Sequence, residues 1–86
     1  MHTAVETYRY IMRTPGVCGG HARLEGSRIA VHDVVGLLQN GETVDLVMRQ
    51  LPGLTRAQVY ECLAHYEDHL AEVDYLVAHQ MVEAGR

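Results

Sequence analysis

The chain has no lysine; all seven of its basic residues are arginine. It has only two cysteines, Cys18 and Cys62, one beside a Gly-Gly pair and the other inside a helical repeat. A lone pair in such different contexts is a poor disulfide framework, so both thiols are expected to be reduced. Long apolar runs are missing too, which excludes a bilayer-spanning segment. Met1 to Tyr10 carries Glu6 and Arg9 and has no apolar core of leader length, so the expected location is the cytoplasm. No internal repeat and no low-complexity tract occurs. Positive charge is also scarce, with a net charge of −4 and a pI near 5.8, which argues against non-specific attraction to nucleic acid over the whole surface.

At 86 residues the chain fits one domain. Domains this small bury only about 60–65% of the surface their unfolded chains expose, and they often gain the missing burial from a partner or a second copy. A homodimer is expected. The charges that are present divide along the chain. Arg9, Arg13, Arg23, Arg28, Arg49 and Arg56 precede residue 57, whereas Glu61, Glu67, Asp68, Glu72, Asp74 and Glu83 follow it. A basic front is joined to an acidic tail, and arginine's forked donors suit phosphates and guanine edges.

Tyr8 to Met12 is a short apolar run that ends at the turn signal Thr14-Pro15-Gly16, and Cys18-Gly19-Gly20 follows as a loop. Ala22, Leu24, Ile29 and Val31 alternate with polar residues on either side of Glu25-Gly26-Ser27-Arg28, a pattern that predicts a β-hairpin. Asp33 is the expected cap of a two-turn helix ending at Asn40-Gly41. Thr43 caps a second helix carrying Val44, Leu46, Val47 and Leu51, which Pro52-Gly53 stops. Thr55 and Gln58 form a capping box that opens a third helix, with Val59, Cys62, Leu63 and Tyr66 on its buried face. Beyond Tyr66, the apolar residues Leu70, Val73, Val77 and Met81 keep a spacing of three and four, so helix continues or restarts there.

The predicted fold is mainly α: a loop and short β-hairpin over residues 10–32, a three-helix, winged helix-turn-helix core over 33–66, and an acidic C-terminal helix over 67–86. In DNA readers of this layout the third helix enters the major groove. Its outward residues near the N-terminus are Arg56, Ala57, Tyr60 and Glu61, with His65 further along. Arg56 is the strongest base or phosphate contact, and the Thr55 hydroxyl with the free amides of the first turn can hold a phosphate. Arg23 and Arg28 flank the hairpin turn as a wing's arginines would, or else pair with local acids such as Glu25. The stripe Leu70, Val73, Val77 and Met81 is too short for a self-sufficient coiled coil. It is expected against the domain's own core, a second copy or another protein.

Catalysis and metal binding find little support. His65 and His69 are one helical turn apart, but the His-Glu-x-x-His order is absent and no third ligand is evident. Cys18 with His21 offers one thiol and one imidazole and nothing to orient a base. The glycines lack the context of a nucleotide loop. The expectation is a binding module with no cofactor and no metal, not an enzyme.

The succession Cys18-Gly19-Gly20, Arg23, Gly26-Ser27-Arg28-Ile29-x-Val31, Gly41, Leu51-Pro52-x-Leu54-Thr55, Gln58-Val59 and Tyr66 closely resembles the bacterial domain-of-unknown-function family 433 (DUF433) from about Tyr10 to Asp74. Ala22 stands where that family usually has Pro and Ser27 where it usually has Thr, both mild departures. The resemblance implies a homeodomain-like or winged helix-turn-helix protein. It also implies an antitoxin of a type II toxin–antitoxin pair, encoded beside a PIN-like ribonuclease toxin and binding operator DNA. On that reading the acidic tail helix docks the toxin, with Glu72 or Asp74 meeting its basic groups. The alternative is a protein-interaction adaptor with the same core that never touches DNA.

Overall fold

In a computed structural model of the chain, which describes residues 8–84 and, on the last helix, side chains as far as Gln80, two short strands precede four helices. Strand β1 (Ile11–Met12) pairs antiparallel with β2 (Arg23–Leu24), Ile11 opposite Leu24 and Met12 opposite Arg23. The loop between them turns through a 3-10 segment, Cys18–Gly20. Cys18 is the one described non-glycine residue with positive φ, +50°, and its Sγ donates to the Arg28 carbonyl at 3.1 Å.

A short antiparallel hairpin near the N-terminus is present as expected, but the strands that form it are not the predicted ones. The turn around Gly26 forms, with φ +80°, and Leu24 and Val31 donate to the Ile29 and Ala22 carbonyls at 2.9 Å. Yet Arg23 and Ala30 make only a single bridge, because the chain enters helix at Val31 before a second strand can extend. The strand that completes the ladder is the apolar run before the loop.

Helix α1 (Val31–Gln39) starts three residues ahead of the sequence expectation. Asp33 is not its N-cap; it occupies the third helical position, where its carboxylate accepts the Ala30 amide at 3.1 Å. Gly41, at φ +97°, ends the helix by adopting the left-handed geometry that side chains resist. Helix α2 (Val44–Gln50) is capped by Thr43, whose Oγ1 accepts the Leu46 amide at 3.2 Å. Helix α3 (Arg56–Asp68) opens on the full capping box: the Gln58 amide donates to Thr55 Oγ1 at 3.1 Å, and the Thr55 amide donates to Gln58 Oε1 at 2.8 Å. His69, at φ −139° and ψ 49°, breaks the helix, and α4 (Leu70–Ala84) restarts at once.

Leu24, Val31, Val34, Val35, Val47, Val59, Cys62, Val73 and Val77 form the core, joined by Ala22 and Leu54. Small, mostly β-branched side chains let the helices approach closely. Helices α1 and α4 run antiparallel in a clear register: Gln80 donates to Asp33, a Cβ at Gly36 would stand 3.7 Å from Val77, and Gln39 donates to Asp74 at 3.3 Å. Each step is three residues, one face of each helix against the other. No helix among the described residues is long and apolar enough to cross a membrane.

Candidate nucleic-acid interface

Helix α3 is fixed from beneath by Val59 and Cys62, both fully buried, and its first turn faces outward. Thr55, Arg56 and Ala57 are exposed, and Tyr60 is 53% exposed. Helical spacing of 56, 57 and 60 places these side chains on one surface. Arg56 is not isolated there: its guanidinium donates to Asp45, in the first turn of α2, at 2.6 Å. That bond, with the Tyr60 hydroxyl contributing less, pushes the Arg56 pKa up. Both partners are largely solvated, and the bond is open to exchange for an external anion.

A cleft of about 180 Å³ joins the hairpin turn, Glu25 to Ser27 with Ile29, to Pro52, Gly53, Leu54 and Gln58. The turn that carries Arg28 therefore lies beside the start of α3. Arg28 is exposed. Arg23 is not available in the same way: its guanidinium donates to the Ser27 and Leu24 carbonyls at 3.0 and 3.3 Å and to Thr14 Oγ1 at 2.9 Å. It ties the strand pair together from within.

Two outward residues of the sequence reading face elsewhere. Glu61 accepts the backbone amides of Arg9 and Tyr10 at 2.9 and 2.5 Å and so clamps the N-terminal segment onto α3. His65 is 3% exposed, against the seam with α4, and stacks on His69 at 4.2 Å. His65 follows Cys62 by three positions, so it shares the buried face despite its polarity. Leu63 and Tyr66, expected on that face, are half-buried. Nearby, burial lowers the His32 pKa against the opposing pull of Asp33, with His21 adding to the lowering. No three histidine, cysteine or acidic side chains among the described residues converge as a metal site would require.

The tail stripe is divided. Val73 and Val77 are 2% and 4% exposed and belong to the domain's own core, whereas Leu70 is 47% exposed. The Met81 and Glu83 side chains lie outside the described residues. Glu72 pairs with Arg13 at 2.9 Å, which holds its carboxyl below the usual range, and Asp74 accepts Tyr66 Oη at 2.7 Å, which raises the Tyr66 pKa. Front and tail of the chain thus meet across its surface.

Strand pair, loop and four helices define a small, mainly helical domain whose exposed third-helix start adjoins the hairpin turn. Residues 11–66 match the model of a family described as "Protein of unknown function (DUF433)", and the chain belongs to that family. The crystal structure of a DUF433 member from Anabaena variabilis is similar, with a TM-score of 0.76 and 35% identity over 79% of this chain and 67% of that one. No curated protein gives a significant match.

Proposed function

We propose that the chain is a DNA-binding regulator of the antitoxin type, in which α2 and α3 act as a helix-turn-helix. Helix α3 presents Arg56, Tyr60, Thr55 and Ala57 to the major groove, and the hairpin turn carries Arg28 to the adjacent backbone as a wing. The observation that carries the reading is the joint exposure of Arg56 and Tyr60 near the start of a helix anchored on its other face by the buried Val59, Cys62 and His65. Such a helix is rigid, and its free amides add to the attraction for phosphate. DNA binding exchanges the Asp45 carboxylate for a phosphate or guanine edge at Arg56. Arg23 serves the hairpin's integrity and is left out of the contact set.

The active form on this reading is a cytoplasmic homodimer, with the exposed Leu70 flank of α4 at the interface; the partner is a PIN-like toxin, as the family resemblance implied. No cofactor takes part and no reaction is catalysed. The adaptor reading is favoured by one observation, that Arg56 already has an anionic partner in a chain of net charge −4. A gel shift on the chain's own promoter fragment at graded salt separates the two. A specific shift that weakens with salt supports the regulator. Absence of any shift at low salt, alone or with the neighbouring gene's product, leaves the adaptor.

A further inference from the structure

A second surface lies away from the α3 start. An open groove of about 420 Å³ runs between α1, the end of α2 and α4, with Gly36, Leu37, Leu51 and Val77 as its apolar floor. Asp33, Asn40, Gln50 and Gln80 line its edge, and no arginine is among its lining residues. The carboxylates of this region share one feature. Asp33 accepts from the Gln80 amide, Glu42 from the Gln50 amide at 2.7 Å, and Asp74, further along the α1–α4 seam, from the Gln39 amide at 3.3 Å.

Each of the three is oriented by a neutral glutamine. Elsewhere Glu72 and Asp45 are answered by arginines, at 2.9 and 2.6 Å. Amides that donate to a carboxylate fix its direction and leave its charge in place, so this groove presents apolar surface with one oriented carboxylate, Asp33, in its lining and a second, Glu42, held by the lining Gln50. We infer that the groove binds an apolar helix bearing arginine or lysine, supplied by a protein partner. Leucine-type side chains at i, i+3, i+4 and i+7 fill the floor, and the basic residues meet Asp33 at its edge and Glu42 just beyond Gln50. Gly36 keeps the floor open, since a larger side chain there projects toward Val77 and Gln80. The inference does not depend on DNA binding by α3.

The test uses the full chain and a fluorescein-labelled helical peptide of about 14 residues, long enough to hold a helix, built from leucine and arginine in that spacing. A second peptide has glutamate in place of arginine. Anisotropy is expected to show the arginine peptide binding about tenfold or more tightly than the glutamate peptide, since like charges across an interface repel. The preference collapses in the Asp33→Asn/Glu42→Gln variant. At the exposed edge, Asn40→Arg weakens the arginine peptide about tenfold while thermal melting and any DNA shift stay unchanged; Gly36→Trp, which fills the floor beside Val77, weakens it at least as much, and Asn40→Arg still tests the groove if Gly36→Trp fails to fold. Equal binding of both peptides, or binding indifferent to both groove variants, overturns the inference. So does sedimentation showing a wild-type dimer that Asn40→Arg dissociates, because the occupant is then a second copy.

Discussion

Cys62 is fully buried under α3, and desolvation, with the Glu61 charge adding to it, pushes its thiol from 9.0 up to about 12. The folded chain therefore keeps the proton that the unfolded chain loses in mild alkali. A group whose folded pKa is raised stabilises fully below its unfolded value, here about 9, and that stabilisation falls away as pH climbs toward 12. At pH 10.5, about 1.5 units above the unfolded value, the thiol alone removes about 2 kcal/mol of stability, at 1.36 kcal/mol per unit. Cys62→Ala costs a cavity at every pH but carries no such slope. Urea titrations at pH 7.5 and 10.5 are expected to show wild type losing about 2 kcal/mol more than the variant across that interval. Every other ionisable group is common to both proteins and cancels in the difference. Equal losses would refute the burial argument, and so would alkylation of Cys62 in native buffer as fast as the partly exposed Cys18 on its loop.

Two further outcomes test the frame around the candidate site. Leu24→Ala, on a fully buried hairpin residue, is expected to destabilise by about 2–5 kcal/mol and lower Tm by about 10 °C or more, whereas Tyr75→Ala, at a position 67% exposed, stays within about 0.5 kcal/mol. Calorimetry giving equal effects would show that the hairpin is not part of the core. Thr55→Ala removes the capping hydroxyl of α3 and is expected to cost about 1 kcal/mol, most of which Thr55→Ser restores; a melting curve unmoved by the alanine would mean the cap contributes nothing.

Local chemistry made α2 and α3 readable. Thr43, the Pro52-Gly53 stop and the Thr55/Gln58 box act within a turn of chain, so their partners lie within the same few residues. Asp33 was harder, because a carboxylate at the cap and one at the third position both favour a helix start; only the backbone geometry of Ala30 decides between them. The strand pairing was hidden because Ile11 and Leu24 meet across a loop whose left-handed Cys18 no propensity announces. The restart at His69 uses neither Gly nor Pro.

Apolar periodicity found Val59 and Cys62 but passed over His65, which shares their face, and left the tail stripe's destination open until Val73 and Val77 were seen inside the core. At the site, Arg56, Tyr60 and Thr55 were legible from the helix start. Asp45 was not: it reaches Arg56 across the α2–α3 turn, a separation with no periodic signature. The glutamine-bound carboxylates of the groove depend on helix packing in the same way.

The most direct test of the regulator reading is the salt dependence of promoter-fragment binding by wild type and Arg56→Ala, measured by anisotropy with folding checked by circular dichroism. If α3 reads DNA through Arg56, the variant loses about 1–3 kcal/mol of affinity and its log–log salt slope falls by about one phosphate contact. An Arg56→Ala protein that binds with wild-type affinity and slope, or a wild type that binds no DNA at low salt, contradicts it.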